Sequence, residues 1–178
     1  MNNKDYWEIS DDGKLLTSEI ITKMRKKFNI YVYDEENIDK DFPTPKEPTT
    51  RYFKKNIEAD EEYKNLSAND LEEKKIPGIT LRERLLMELD YFNETNSHLD
   101  VDNITLCSGS RLSYGFVPFV HWHADRRRLF VYWSLPGLRY SLLRSRAAVS
   151  LPLDPQPLKT FDPTKLEIKY NNNERCGY

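Results

Sequence analysis

The feature that most constrains the fold is a pair of alternating segments late in the chain, 119–123 (FVHWH) and 129–133 (LFVYW). Side chains on a strand point alternately to opposite faces, so residues two apart share a face. In the first segment Val120 and Trp122 go one way, and Phe119, His121 and His123 go the other. In the second, Leu129, Val131 and Trp133 oppose Phe130 and Tyr132. Asp125, Arg126, Arg127 and Arg128 between them read as the turn joining two strands. The Val, Leu and Trp set is the expected core face. The opposite face carries aromatics and His, where a solvated strand normally carries Lys, Glu, Thr or Ser. Such a face marks a binding surface. The competing reading is a sheet buried on both sides.

The clearest helix starts at Thr80. Thr80 and Glu83 have capping-box spacing, in which the hydroxyl and the carboxylate each satisfy a backbone N–H of the first turn. Leu81, Leu85, Leu89 and Phe92, with Leu86 alongside, form one apolar face, and Asn96 and Ser97 end the run. Glu83 and Glu88 read as capping or surface carboxylates. A second helix is expected from Thr17, with Ile20, Met24 and Phe28 at helical spacing. Residues 29–33 (NIYVY) read as a short strand, and Pro43, Pro45 and Pro48 as a helix-free connector. The charged stretch 58–75 reads as an exposed helix, with Pro77 and Gly78 as punctuation. Strands are expected at 104–107 and 147–151. From Pro152 onward the Pro and Asn spacing predicts a loosely ordered tail.

Charge is unevenly distributed. The chain has 178 residues and a net charge of −2. None of its 15 Lys, 15 Glu or 13 Asn lies within 108–150. That window holds seven of the 12 Arg, namely Arg111, Arg126, Arg127, Arg128, Arg139, Arg144 and Arg146, against the single acid Asp125. It also holds eight of the 22 aromatics. Exclusion of three common residue types lies far outside ordinary composition drift.

Catalytic spacing is weak throughout. His121, His123 and Asp125 could begin a metal-binding pattern, but Arg126 stands where a further His is needed, and adjacent arginines disfavour a dication. Ser108, Gly109 and Ser110 lack the frame of a nucleophile elbow, and no phosphate-binding glycine loop occurs. No cofactor is expected. Two cysteines, Cys107 and Cys176, make no disulfide framework, and Cys107 reads as a small buried hydrophobe. Arg beside stacking side chains also fits a single-stranded nucleic-acid binder, although phosphate binding would welcome Lys equally. The plainer expectation for Arg144 and Arg146 is that their forks tie a loop to backbone carbonyls.

Four short motifs combine into a recognisable pattern: LCSGSR at 106–111, VPFVHW at 117–122, RLFVYW at 128–133 and LRSRAAVS at 143–150. Together with the preceding helix, over roughly 79–151, they resemble the variable region of target proteins of diversity-generating retroelements. The resemblance implies a C-type-lectin-like fold of the branch related to formylglycine-generating enzymes. It also implies residues diversified by adenine-directed copying of a template repeat. Asn-type codons ending in a pyrimidine can then become Phe, Ser, Tyr, Leu, His, Arg, Gly or Asp, but never Lys, Glu, Gln, Met or Trp. The window lacks Lys, Glu, Gln and Met, and its Trp occurs only at Trp122 and Trp133, both on the expected core face. The displayed positions implied are Leu112, Ser113, Tyr114, Phe116, Phe119, His121, His123, Arg126, Arg127, Phe130, Tyr132, Ser134, Leu135, Leu138, Arg139 and Tyr140. The scaffold implied is Ser108, Gly109, Ser110, Arg111, Val120, Trp122, Leu129, Val131, Trp133, Arg144 and Arg146. The reactive cysteine pair of the enzymatic relatives has no counterpart, so their oxidation chemistry is not implied.

The expectation is therefore an α+β chain with three parts. Residues 1–75 form an N-terminal adaptor, 76–153 a C-type-lectin-like module with a helix on short antiparallel strands and long loops, and 154–178 a tail. Its function would be non-catalytic ligand binding, with no metal. The partner would be a protein or surface ligand, and the 125–128 turn would favour anionic groups. A nucleic-acid partner is the alternative, and a metal-dependent enzyme at His121, His123 and Asp125 the third reading. No stretch approaches the roughly 18 apolar residues of a membrane span. The polar start predicts no secretory signal. A protein cytoplasmic as synthesised, reaching a virion or cell surface through another protein, would fit.

Overall fold

A computed structural model describes residues 5–149. The expected tail, the proposed strand end at Leu151 and Cys176 lie outside these residues. The class is α+β. Strands β1 (Tyr6–Asp11) and β3 (Thr49–Lys54) form a two-stranded antiparallel sheet. A mixed five-stranded sheet has the order β2-β6-β5-β4-β7, comprising Ile30–Val32, Arg128–Ser134, Val117–His123, Ile104–Leu106 and Leu143–Arg144. The central hairpin β5–β6 is antiparallel, with Val120 opposite Val131 and His121 opposite Phe130. β2 joins β6 in parallel, and β7 joins β4 in parallel. No helix among the described residues is long and apolar enough to cross a membrane.

Alternation along the hairpin sorts as expected. Val120, Leu129, Val131 and Trp133 are buried, together with Ile30 and Val32 of β2. They pack in one core with Ile20, Ile21 and Met24 of α1 (Thr17–Arg25) and Leu81 and Leu85 of α4 (Leu81–Thr95). The stretch before residue 75, expected as an adaptor, thus supplies the edge strand of the main sheet and part of the same core. The expected helix at 58–75 is shorter. Asn65 adopts a left-handed conformation (φ 58) that breaks the run, and α3 covers only Ala68–Glu73. Ser67 caps α3, its hydroxyl accepting the Asp70 N–H at 3.1 Å while Asp70 accepts the Ser67 N–H at 2.8 Å. Ala68 and Leu71 of α3 pack on Leu106, Val117 and Leu143, covering the β4–β7 end of the sheet's second face.

α4 begins as its capping box predicts. The Thr80 hydroxyl accepts the Glu83 N–H at 3.2 Å, and the Glu83 carboxylate accepts the Thr80 N–H at 2.8 Å. Asn96 ends it with φ 53. Glu83 caps the helix as expected, but a surface place for Glu88 is overturned, because α4 packs against both β1 and β5. Glu83 is buried against Arg51, and Arg84 and Glu88 are fully buried. The Arg84 guanidinium donates through Nη1 to Glu88 Oε2 at 2.8 Å and through Nε to Asp100 Oδ2 at 2.9 Å. Arg146 Nη2 reaches Asp100 Oδ1 at 2.7 Å, and Thr105 Oγ1 donates to Asp100 Oδ2 at 2.5 Å. A second buried fork, Arg82 on Asp11, has donor distances of 2.7 and 2.9 Å and ties α4 to β1.

Over 147–149, the described part of the expected 147–151 strand, single bridges stand in place of a ladder. Ser145 pairs with Asp60, Ala147 with Gly78 and Val149 with Tyr52. Three different partners cannot sustain one ladder. The segment is held instead by Arg146, whose Nη1 and Nη2 donate to the carbonyls of Asn56 and Ile57, both at 2.8 Å.

Burial alone would raise the Asp100 carboxyl, but Arg146 and Arg84 outweigh it and hold its pKa below the ordinary 3.8. The unfolded chain therefore takes up this proton first as pH falls, so the stability Asp100 contributes is complete above 3.8 and is lost below it. Asp100→Asn leaves two buried guanidiniums facing a neutral group and is expected to cost about 3–5 kcal/mol. Urea unfolding at neutral pH measures that loss. The same titration repeated on the parent chain at descending pH should show the midpoint falling once pH drops beneath 3.8.

Candidate functional site

The described residues do not cover the second face of the β5–β6 hairpin from end to end. α3 shields Val117 and reaches as far as Phe119. Beyond it, Phe119, His121, His123 and Phe130 are half-buried and Tyr132 is exposed. Cross-strand registry places these rings side by side. His121 and Phe130 stack at 5.6 Å with planes 15° apart, and Phe119 and Tyr132 lie 5.9 Å apart. Arg126, exposed in the turn, sets its guanidinium carbon 5.6 Å from the centre of the Phe130 ring.

The array extends past the hairpin. Parallel pairing of β2 with β6 places Tyr31 beside Phe130 at 5.5 Å, and Tyr33 follows beside Tyr132 at 4.5 Å. Both tyrosines are exposed. Local sequence marks 29–33 as a strand but not as part of a binding face. Ile30 and Val32 alternate with Tyr31 and Tyr33 as Val and Trp alternate with Phe and His in β5.

Other expected display positions divide. Ser113, Tyr114, Arg127, Leu135, Leu138 and Tyr140 are exposed, the three last on the loop between β6 and β7. Phe116 is partly buried, 5.3 Å from Tyr114. Two positions are corrected. Leu112 is buried beneath its own turn, its N–H donating to the Phe116 carbonyl at 2.9 Å. Ser134 is buried opposite Val117, where α3 closes over the sheet. Arg139 is exposed but engaged, its Nε donating to Asp70 Oδ2 at 2.8 Å and holding that carboxyl well below the usual range.

The scaffold residues do structural work. Ser108 Oγ and Ser145 Oγ lie 2.9 Å apart, and Ser110 Oγ accepts the Leu81 N–H at 2.9 Å. Gly109 runs so close to Gly78 that any Cβ would collide with the Gly78 carbonyl oxygen. Arg111 donates to the carbonyls of Ser108 and Ser110. Arg144 pairs with Glu61 and reaches the Ala59 carbonyl, and Arg146 is the buried fork described above. Trp122 stacks on His98 at 3.4 Å with planes 7° apart, and Trp133 lies in the core.

For chemistry, the face offers flat apolar rings, two imidazoles and a cationic turn. His121 and His123 share the face with ring centres 6.2 Å apart. Asp125 lies in the exposed turn. Among the described residues no three His, Cys, Asp or Glu side chains converge as metal ligands. Cys107 is fully buried, and desolvation pushes its thiol far up, so it is no nucleophile. No protein-family model, curated protein or solved structure matches this chain.

Burial, with His123 as the next cause, lowers the pKa of His121 below its ordinary 6.5. Among the described residues its Nδ1 is buried without a hydrogen-bond partner. The neutral ring therefore belongs to the folded face at pH 7. On acidification through the interval beneath 6.5, the unfolded chain binds the proton more readily and stability falls. An NMR titration of the His121 ring should place its midpoint below 6.5, and His121→Phe should flatten the decline of the urea midpoint over that interval.

Proposed function

We propose that this chain is a non-catalytic ligand-binding protein, the variable protein of a diversity-generating retroelement, with a C-type-lectin-like module at 76–153 whose residues 108–150 form the recognition surface. The observation that carries this reading is a coincidence between chemistry and position. Phe119, His121, His123, Phe130 and Tyr132, all residues that adenine-directed copying can produce, lie on one accessible sheet face. The two Trp of the window, which such copying cannot produce, point to the opposite side, one stacked on His98 and one in the core. A helix on antiparallel strands, with a long loop after β6, supports the lectin-like assignment. Aromatic rings give large contact area at low entropy cost, and exposed Arg adds charge-assisted forks, the chemistry that protein paratopes use.

The three exposed arginines of the 125–128 turn favour one rival, a single-stranded nucleic-acid binder. Anisotropy with labelled oligo-deoxythymidine separates the two, because phosphate contacts make affinity fall steeply with salt. Sequencing of the flanking DNA tests the proposal itself. A near-copy of the codons for 108–150 is expected beside a reverse-transcriptase gene. It should carry adenines in the codons for Phe119, His121, His123, Phe130 and Tyr132, and match at Trp122 and Trp133. A complete locus without such a repeat overturns the proposal.

A further inference from the structure

The recognition face has a charge polarity, and part of it lies outside the variable window. At one end, Leu129 donates its N–H to the Asn29 carbonyl at 2.9 Å, so the start of β2 sits beside the 125–128 turn. Lys26 and Lys27 precede this point, and both are exposed, as are Arg126, Arg127 and Arg128. None of the five forms an ion pair among the described residues. At the other end, Tyr33 leads directly into Asp34 and Glu36, both exposed and outside any ion pair among the described residues. Asp41 lies at the same end, accepting the Ser113 N–H at 3.4 Å. Between the two ends runs the aromatic strip of Tyr31, Phe130, Tyr33 and Tyr132. From Arg128 to Ser134 the strip is roughly 20 Å long at ~3.3 Å per residue.

We infer that the face takes an extended peptide segment of a protein partner, with carboxylates over the Arg turn and aromatic or aliphatic side chains along the strip, and that Tyr31 and Tyr33 are fixed anchors of that contact. The inference rests on the recognition reading and deepens it. Charge complementarity selects the occupant. A nucleic-acid strand carries a phosphate at every unit, so one that followed the rings away from the arginines would run onto Asp34, Glu36 and Asp41. A peptide can place its carboxylates at one end only. The tyrosines of β2 lie outside the composition-biased window, so they would give every variant of the face the same apolar border. New side chains from the window would then act beside a constant aromatic edge.

Selection of a random phage-displayed peptide library on the full chain tests this. Recovered peptides are expected to cluster Asp or Glu toward one end, next to aromatic or aliphatic residues. Tyr31→Ser with Tyr33→Ser should weaken their binding about tenfold, the loss typical of an interfacial aromatic anchor. Phe130→Ser with Tyr132→Ser should weaken it at least as much. Circular dichroism and urea midpoints confirm that both variants fold. Peptides without acidic bias, an empty selection, or displacement of bound peptide by oligo-deoxythymidine overturns the inference. If only the Phe130 and Tyr132 variant loses binding, the role of β2 is refuted while the recognition reading stands. If neither variant loses binding, the face is not the recognition surface and both fall.

Discussion

Asp100 is the point on which the rest of the molecule depends. Its two oxygens receive guanidinium groups from either side of it in the sequence, Arg84 on α4 and Arg146 on the segment after β7, and the hydroxyl of Thr105 of β4. Its own carbonyl accepts the Trp122 N–H at 3.0 Å. One residue thus fixes the helix, the entry strand, the end of β5 and the segment after β7. Glu88 completes the charge balance and passes it to His98 at 2.8 Å, and His98 in turn stacks beneath Trp122. A buried ion cluster contributes little net stability compared with apolar packing of the same volume. Breaking it is another matter, because each remaining charge is stranded without water. The cluster therefore sets the registry of α4 by penalising any arrangement that parts Arg84 from Asp100.

That registry decides which face of the hairpin is available. α1 and α4 occupy the side carrying Val120, Leu129, Val131 and Trp133. The other side is shared unequally. α3 and its flanking turns cover Leu106, Val117 and Leu143, so the β4–β7 end is closed. Among the described residues, β5, β6 and β2 stay open beyond Phe119. The accessible surface is thus what remains after a short helix has capped half a sheet. Its aromatic character needs no compensation within the monomer: the rings stack on one another and on Arg126, which shields part of their area.

Local rules read from residues carried far in this chain. The Thr80 and Glu83 box, the helix at Thr17 and the alternation in β5 and β6 all follow from interactions spanning a few residues, and all appear in the structure. The forked carbonyl contacts of Arg144 and Arg146 were legible from guanidinium geometry. Long-range pairing was not legible. Nothing near 29–33 announces that it joins β6 in parallel across a hundred residues of chain, so Tyr31 and Tyr33 were left off the candidate surface. Arg84 and Glu88 sit at helical spacing that normally marks a solvated pair, and only the return of His98 and Asp100 onto α4, with Arg146 behind Asp100, makes them core. Leu112 and Ser134 were expected outside for the converse reason, since a loop fold-back and a helix cap are tertiary events.

By itself, the sequence determined the faces: which side chains of each strand travel together, where helices begin, and which residue types 108–150 excludes. These depend on backbone periodicity and composition, which are local. Tertiary structure alone decided which of those faces meets water. Burial is a property of what packs against a surface, and here the packing comes from α3, from β1 and from an edge strand far away in the chain. The strip running from the arginine turn to Asp34 exists only because β2 and β6 lie side by side.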